Sequence, residues 1–341
     1  MRSKKAAGTR LGISIAIFIF LPISGSPVGA ADALKPIEIE EWEVPYGGRA
    51  RDPFAASGDE IWFVGQSGNY LARFTPSTGA FFRRDLPDSP GPHNLIVGSD
   101  GIVWYAGNRK GYIGRYDPAS DDIETIEMPD SGARDPHTLV FDEGERHIWF
   151  TVQGGNFVGR LTIAGRTVDL IKVPTSRARP YGIKLAPDGT PWIVLLGTNK
   201  LASVDPGTLE LTEYVIPAGD ARPRRLEVTR DGRIWYADYR RGYLGRYDPK
   251  ARSFREWALP SGRRSRPYGM ALDDDGRIWV VETGVSPNLF VGFDTRTERM
   301  FSVTPIPSGA GSVRHMDYHA ASGAVWFGTD RNTLGRALVR R

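Results

Sequence analysis

The chain has 341 residues, with 44 Lys and Arg against 40 Asp and Glu, and it contains no cysteine. The lack of thiols excludes disulfides, a cysteine nucleophile and thiolate metal sites. Four of the basic residues lie in the first 31 positions, which hold no acidic residue, so 44 less 4 leaves 40 of each sign in the remainder. Because that remainder is formally neutral, we predict no nucleic-acid partner.

Residues 1–31 have the pattern of a secretory signal peptide. Basic residues at positions 2, 4, 5 and 10 precede an apolar run from Leu11 to Ile23, and the small residues Gly29 and Ala30 follow. This order of charge, apolar run and small residues is typical of a cleaved leader. The run is shorter than the roughly 20 residues that span a bilayer. We therefore expect a periplasmic or secreted protein with no stable membrane span after cleavage; an uncleaved anchor is the alternative.

Seven tryptophans recur along the rest of the chain at intervals of 42 to 47 residues. Each lies in a short apolar run such as Ile61-Trp62-Phe63-Val64 or Ile234-Trp235-Tyr236. A period in the forties indicates a supersecondary unit that is repeated side by side. The seven are Trp62, Trp104, Trp149, Trp192, Trp235, Trp279 and Trp326.

Each repeat contains four candidate strands separated by Gly, Pro and Asp turns. A Pro followed by a His or aromatic residue, as in Pro136-His137, lies about eleven residues before the Trp strand. A third strand such as Tyr243-Leu244-Gly245-Arg246-Tyr247 follows the Trp, and a fourth closes the unit. Four short strands per repeat are typical of one blade of a β-propeller. We interpret the Trp rings and the repeated Gly-Arg elements as parts of the packing between blades.

The seventh repeat ends after its third strand, and the missing strand is found at the other end of the chain. Residues 37–45, Ile37 to Pro45, have the pattern of a fourth strand. A first segment that completes the last blade would close the ring and leave no large open sheet edge. The fold class is therefore all-β: residues 37–341 form a seven-bladed β-propeller with four antiparallel strands per blade, which we expect to be a monomer.

The first strand of each blade should line the central channel, so the residues that follow the prolines should meet at one mouth. Three of the five histidines of the chain fall at these positions. Three imidazoles around one axis could ligate a metal or exchange a proton near neutral pH. A water-filled channel lined with polar aromatic residues is the alternative. In order, the positions are Phe54, His93, His137, Tyr181, Arg224, Tyr268 and His315.

Acidic and basic residues flank these positions on the same face. Asp135 precedes Pro136-His137, and Asp330 follows the last Trp strand. Both are candidate ligands for a divalent cation, although Asp135 could equally accept hydrogen bonds at a turn. A cationic arc that includes Arg224, Arg266 and Arg314 favours an anionic or carbonyl-rich ligand, unless these arginines pair with carboxylates between blades. Tyr181 and Tyr268 would add contacts to the ligand.

The repeated motif resembles that of the virginiamycin B lyase (streptogramin B lyase) family over all seven blades. It appears here as Pro180-Tyr181-Gly182-Ile183 and Pro267-Tyr268-Gly269-Met270, with the Trp and Gly-Arg elements described above. The resemblance implies a propeller that opens cyclic depsipeptides at an ester by β-elimination, with Mg²⁺ and a histidine base.

Carried over by position, the resemblance implies that His315 is the general base and that Asp330 stands where the family has a glutamate. Tyr268 occupies the place of a family histidine, and Val313 that of a metal-binding glutamate. His93 followed by Asp135-Pro136-His137 repeats the family order of acid and histidine in another phase of the ring.

Two classes of function follow from the sequence. The first is an exported lyase-like enzyme acting on an ester- or lactone-type small molecule, in which His315 or His137 removes a proton and Mg²⁺ or another divalent cation on Asp135 or Asp330 stabilises the charge. The second is a non-catalytic propeller that binds a cell-envelope ligand or partner protein on the same face.

Overall fold

The Trp period produces seven sheets of four antiparallel strands, as predicted. A computed structural model describes residues 34–340, and the predicted signal peptide, residues 1–31, lies outside the described residues. No helix within 34–340 is long and apolar enough to cross a membrane. One 3-10 turn, Gly262–Arg264, precedes the sixth blade.

Each of the first six blades consists of four consecutive strands. The first blade contains β2 (Ala50–Ser57), β3 (Glu60–Gly65), β4 (Tyr70–Thr75) and β5 (Ala80–Asp85). The second contains β6 (Leu95–Val97), β7 (Val103–Gly107), β8 (Tyr112–Asp117) and β9 (Asp122–Glu127). The third contains β10 (Pro136–Phe141), β11 (His147–Val152), β12 (Phe157–Thr162) and β13 (Thr167–Lys172). The fourth blade contains β14 (Pro180–Leu185), β15 (Pro191–Leu195), β16 (Lys200–Val204) and β17 (Leu211–Val215). The fifth contains β18 (Pro223–Val228), β19 (Ile234–Asp238), β20 (Tyr243–Asp248) and β21 (Ser253–Ala258). The sixth contains β22 (Pro267–Leu272), β23 (Arg277–Glu282), β24 (Leu289–Asp294) and β25 (Arg299–Pro305).

The seventh blade is completed by the first strand of the described chain. Its strands are β1 (Glu38–Glu43), β28 (Thr333–Leu338), β27 (Ala324–Thr329) and β26 (Val313–His319), in that spatial order. β1 pairs antiparallel with β28, with Trp42 opposite Leu334. Glu41 accepts hydrogen bonds from the side chains of Ser308 and Thr333, both at 2.7 Å or less. The predicted closure of the ring by the N-terminal strand is therefore confirmed.

The tryptophans fill the space between successive blades. Trp235 of the fifth blade, for example, shares an apolar cluster with Met270 and Val280 of the sixth. All seven Trp side chains are at most 5% exposed. Aromatic side chains of this size bury a large apolar area each and therefore dominate the energetics of a core. The predicted role of these rings between blades is confirmed.

The first strands of neighbouring blades contact one another around the central channel. Most of them carry a β-bulge at their start, as between Pro136 and Leu139. In the third blade, Pro136 is the residue that pairs with the Trp strand before the bulge. The residue in that position is Ala50, opposite Gly65, in the first blade and Val313, opposite Thr329, in the seventh. The residues equivalent to His137 are therefore Arg51 and Arg314. The alignment of the seven repeats that predicted Phe54 and His315 at this position was wrong.

That error has a local cause. Pro53 lies inside the bulge of β2, beyond the position that the other prolines occupy. Val313 replaces the proline altogether in β26. In the first blade the paired residue Ala50 lies 12 residues before Trp62, as in the fourth to sixth blades, so Pro53 is a misleading marker there. In the seventh blade Val313 lies 13 residues before Trp326, one more than in those blades.

Candidate functional site

One residue from each first strand meets at one mouth of the channel, and we call this set the mouth ring. In six blades the member directly follows the first residue of the strand, which pairs with the Trp strand before the bulge. In the second blade the member is His93, which follows Pro92 just before β6. It contains three arginines, two histidines and two tyrosines: Arg51, His93, His137, Tyr181, Arg224, Tyr268 and Arg314.

Half of the mouth ring is a stack of aromatic side chains. The ring centroids of His93 and His137 are 3.7 Å apart, and those of His137 and Tyr181 are 3.9 Å apart. The hydroxyls of Tyr181 and Tyr268 are hydrogen-bonded to each other across the channel. All four side chains are at most 6% exposed. The stack therefore closes most of the channel at this level.

Arg224 lies over the tyrosines of this stack. Its guanidinium carbon is 3.7 Å from the ring centroid of Tyr268, 4.3 Å from that of Tyr239 and 5.2 Å from that of Tyr181. Cation–π contacts of this kind hold a guanidinium without consuming its N–H donors. Its Nε is buried and has no hydrogen-bond partner among the described residues.

Arg225, the next residue, crosses the channel. Its Nε donates to the carbonyl of Arg314 at 2.9 Å, and one Nη donates to Thr138 Oγ1 at 3.0 Å. The other Nη lies 3.4 Å from Asp52 Oδ2. Arg225 of the fifth blade thus contacts the first, third and seventh. Sequence reasoning missed this residue, although the Arg224-Arg225 doublet was a signal, because no other blade has an arginine at the second position.

Asp52 is a buried carboxylate of the channel at the level of the mouth ring. It is 1% exposed and accepts a hydrogen bond from the Asn94 side-chain amide at 3.3 Å. Arg51 Nε lies 3.7 Å from its other oxygen. A second nitrogen of Arg51 is 3.0 Å from His93 Nε2. We call the mouth ring together with Asp52, Thr138, Arg225 and His315 the hub.

His315 lies one position deeper in the channel than predicted, because Arg314 takes its place in the mouth ring. It is partly buried and lines a cavity of about 10 Å³ together with Thr138 and Arg225. A cavity of this size holds about one water-sized group. The structure therefore brings His93 and His137 into direct contact and places His315 beneath them in the same channel.

All three hub histidines have pKa values below the ordinary range. Burial is the largest cause for each, since a charged imidazole loses its hydration there. The neighbouring His137 and Arg51 lower the pKa of His93 further, and Arg225 does so for His137 and His315. At neutral pH the three imidazoles are therefore uncharged.

His137 has one ring nitrogen free. Its Nδ1 is 2.8 Å from Thr138 Oγ1, and its Nε2 is buried with no hydrogen-bond partner among residues 34–340. The tautomer in which Nδ1–H donates to the threonine leaves Nε2 with a free lone pair.

The tyrosine pair is polarised by the arginines. Burial raises the pKa of Tyr181, but Arg224, Arg225 and the hydrogen bond from Tyr268 outweigh that effect and lower it below its usual value. Burial, followed by the proximity of Tyr181, raises the pKa of Tyr268 to about 12. Tyr181 is therefore the more acidic hydroxyl of the pair, and Tyr268 keeps its proton to higher pH.

The two predicted metal ligands are occupied by the protein itself. Asp135 accepts hydrogen bonds from the backbone amides of Gly154 and Gly155, at 2.5 and 3.0 Å. Asp330 forms a two-point ion pair with Arg314, at 3.1 and 2.6 Å. Within residues 34–340 no group of three or more His, Asp or Glu side chains is arranged to hold a metal ion. These donor sets do not fit a divalent cation.

Further arginines surround the mouth ring on its outer side. Each directly precedes the first residue of the first strand of its blade. They are Arg49, Arg179, Arg222 and Arg266. Arg222 donates to backbone carbonyls, and the other three are exposed. We call these four residues the rim arginines. The predicted contact residue Arg266 belongs to this outer set rather than to the mouth ring.

The histidines outside the hub lie toward the opposite ends of the blades. His147 Nδ1 is 2.8 Å from Asp142, beside a cleft of about 590 Å³ that also contains Trp149 and Arg160. His319 contacts the Ser322 hydroxyl at the end of β26. Neither histidine contributes to the mouth.

Solved structures similar to this chain share its fold. A streptogramin B lyase structure is 20% identical with a TM-score of 0.79, covering 89% of this chain and 98% of that one. A virginiamycin B lyase from Staphylococcus aureus gives 20% and 0.79, covering 88% and 99%. The extracellular domain of a hybrid two component system from B. thetaiotaomicron gives 15% and 0.69, covering 90% of this chain and 43% of that one. At these identities the likeness shows the fold alone.

No curated protein sequence matches the chain. Residues 35–287 match the family described as the Virginiamycin B lyase family, which covers more than half of the 341 residues. This match and the seven-bladed architecture agree with the resemblance found in the blade motifs. The chain belongs to the Virginiamycin B lyase family.

Proposed function

We propose that this protein is an exported carbon–oxygen lyase that acts on an ester- or lactone-type small molecule at the channel mouth. The observation that carries the proposal is the placement of neutral imidazoles against several guanidiniums in the hub. A neutral imidazole can remove a proton beside a carbonyl, and fixed cations can stabilise the negative charge that develops on the carbonyl oxygen.

In the proposed reaction, His137 or His315 takes the proton on the carbon next to the carbonyl. The electron pair forms a carbon–carbon double bond, and the carbon–oxygen bond to the leaving carboxylate breaks. No water is consumed, so a ring-opened product has the same mass as its substrate. Arg225, which lines the cavity beside His315, stabilises the enolate-like intermediate, and the Tyr181–Tyr268 pair orients the ligand.

A divalent cation, which the family resemblance implies, does not fit the carboxylates of this mouth. Asp135 and Asp330 are already engaged with backbone amides and Arg314. The arginines carry the positive charge here. We therefore expect dialysis against EDTA to leave the rate of any turnover unchanged.

The test is incubation of the purified protein with cyclic streptogramin B depsipeptides and with simpler acyloxy esters, followed by mass spectrometry. An unsaturated ring-opened product of unchanged mass from the cyclic ester, or an unsaturated carbonyl compound together with the free carboxylic acid from an acyclic ester, supports the proposal. A saturated hydroxy product that has gained the elements of water shows hydrolysis instead. His137→Ala and His315→Ala should each reduce turnover, and His319→Ala at the far end of β26 serves as the matched control. Absence of turnover on every ester overturns the proposal.

A non-catalytic function is the second candidate, and the closed aromatic stack favours it. His93 and His137 are at most 6% exposed, and their ring faces contact each other and Tyr181. Such a propeller would bind a cell-envelope ligand or a partner protein on the mouth without chemistry. Saturable binding of an ester that is recovered unchanged would favour this candidate over the lyase.

A further inference from the structure

We propose that the molecule bound at the mouth carries a carboxylate, which Arg224 and Arg314 hold. This inference rests on the proposed function, because it names the charge class of the same substrate. The family resemblance by itself implies no charge on the ligand.

The hub has an excess of positive charge. It contains four guanidiniums, from Arg51, Arg224, Arg225 and Arg314, whereas two carboxylates lie within ion-pair distance of them, Asp52 and Asp330. The three hub histidines add no charge at neutral pH. Two positive charges therefore remain uncompensated in a chain whose residues 32–341 are formally neutral. A local excess of this kind selects anionic ligands.

The uncompensated charge is concentrated on Arg224. Asp52 lies against Arg225 and Arg51, and Asp330 against Arg314, whereas no carboxylate of residues 34–340 forms an ion pair with Arg224. Its stacking on Tyr268 fixes the plane of the guanidinium and leaves the N–H donors at its edge. The Nε–H of Arg224 has no partner among the described residues, and a planar guanidinium with an unused donor matches a carboxylate in geometry and charge.

A second buried atom points to a ligand at the same place. His137 is 1% exposed and its Nε2 has no hydrogen-bond partner among the described residues. The ring of His137 lies 3.9 Å from that of Tyr181, which Arg224 also contacts. Buried polar atoms are usually paired, so two unpaired atoms at one site indicate a polar partner that is not part of the chain.

The rim arginines extend the positive field outward from the hub. Arg49, Arg179 and Arg266 are exposed and form no ion pair with a carboxylate of residues 34–340. The carboxylates of Asp238 and Glu282, at the ends of β19 and β23, accept hydrogen bonds from the backbone amides of Arg222 and Ser261 and form no ion pair with these three arginines. A funnel lined by one sign of charge raises the local concentration of the opposite ion and its association rate.

The experiment is isothermal titration calorimetry of the purified protein with citrate and, as a matched neutral probe, trimethyl citrate. We expect citrate to bind with an affinity that falls with added salt, and the ester not to bind. Arg224→Gln should weaken citrate binding about tenfold or more, as expected for the loss of a charge-assisted hydrogen bond. Arg230→Gln, at an exposed turn on the opposite side, should bind citrate like the wild type.

A second variant keeps the test decisive if Arg224→Gln does not fold. Asp330→Asn removes the carboxylate that competes for Arg314 and should tighten citrate binding. Equal binding of citrate and its ester overturns the inference, as does wild-type affinity in Arg224→Gln or unchanged or weaker affinity in Asp330→Asn. Turnover without any preference for anions would overturn this inference alone, and citrate binding without ester turnover would overturn the lyase proposal alone.

Discussion

At the scale of single residues, Arg225 and Asp52 determine how the centre of the ring is held. Both are at most 4% exposed, and their side chains meet at 3.4 Å. A buried ion pair need not add net stability, but removing one partner leaves an uncompensated charge in a place with little water. The pair therefore contributes more to the order of the channel than the many surface ion pairs of this chain.

Arg225→Met should lower the free energy of unfolding by about 3–5 kcal/mol, because it leaves Asp52 buried without its cross-channel partner. Urea unfolding followed by tryptophan fluorescence measures this. Adding Asp52→Asn to Arg225→Met should recover part of the loss. If the double variant lost as much unfolding free energy as the sum of the two single variants, the residues would not be coupled.

Asp317 makes a separate, pH-dependent contribution deeper in the channel. Burial raises the pKa of its carboxyl to about 6, although its hydrogen bond from the Ala55 amide opposes the shift. Because the folded-state pKa lies above the unfolded value, the folded protein binds more protons between about pH 4 and 6. The stability that this group contributes is complete below that window and is lost as the pH rises through it.

Asp317→Asn keeps an acceptor for Ala55 and removes the charge. At pH 4 its unfolding free energy should equal that of the wild type, and at pH 7 it should exceed it by about 1–3 kcal/mol. Unfolding curves at pH 4 to 7 measure the difference, with the exposed Asp122→Asn as control. A difference that does not change with pH would contradict the assigned titration.

The residues of the hub were only partly predictable from the sequence. His93, His137, Tyr181, Arg224 and Tyr268 could be placed at the mouth because a proline marks the start of each of their strands. Arg51 and Arg314 could not, because Pro53 marks a later position of β2 and no proline marks the start of β26. Cross-channel partners such as Arg225 depend on side-chain reach, which a repeat pattern does not encode.

At the scale of elements, the repeated glycine of the third strand is explained by the aromatic residue beside it. Tyr236 lies opposite Gly245, and Tyr105 lies opposite Gly114 in the second blade. A Cβ on either glycine would overlap the facing tyrosine ring. The glycine therefore leaves room for the aromatic side chain that follows the Trp, a packing rule that holds within one sheet and is readable from the sequence.

The arginine after this glycine also has the role that the sequence suggested. Arg246 lies over Trp235 and Trp257, and it forms an ion pair at 2.7 Å with Glu298 of the next blade. The repeat thus specifies contacts within a blade and with its neighbour. This is why the fold could be predicted almost completely, whereas the channel chemistry could not.

Gly245→Ala should destabilise the protein by about 1–3 kcal/mol through overpacking against Tyr236. Thermal or urea unfolding measures the loss, and Gly165→Ala at an exposed turn is the control. The fourth blade already pairs Ile193 with Ala202 at the equivalent position. Tyr236→Ile combined with Gly245→Ala should therefore cost less than the sum of the single changes, and strict additivity would refute the explanation.

At the scale of the whole molecule, stability depends on a ring closed by non-covalent contacts, since the chain has no cysteine. β1 covers the outer edge of β28, and Trp42 stacks on Trp326 with ring centroids 5.7 Å apart. Without β1, the seventh sheet would present a row of unpaired backbone groups. An exposed edge of this kind pairs with other chains.

A protein that begins at Pro45 should therefore self-associate and unfold at a lower temperature than the complete chain. Size-exclusion chromatography with light scattering measures the first effect. A synthetic peptide of residues 37–45 should restore the monomer by strand addition, and the same peptide with Trp42→Ala should do so less well. A truncated protein that stays monomeric and equally stable would show that the closing strand is dispensable.

The pairing of β1 with β28 joins strands 290 positions apart in the sequence, such as Glu43 and Thr333. During translation the ring consequently cannot close until β28 has been synthesised. Every nascent chain, and every product of a premature stop codon within the seventh blade, is an open arc.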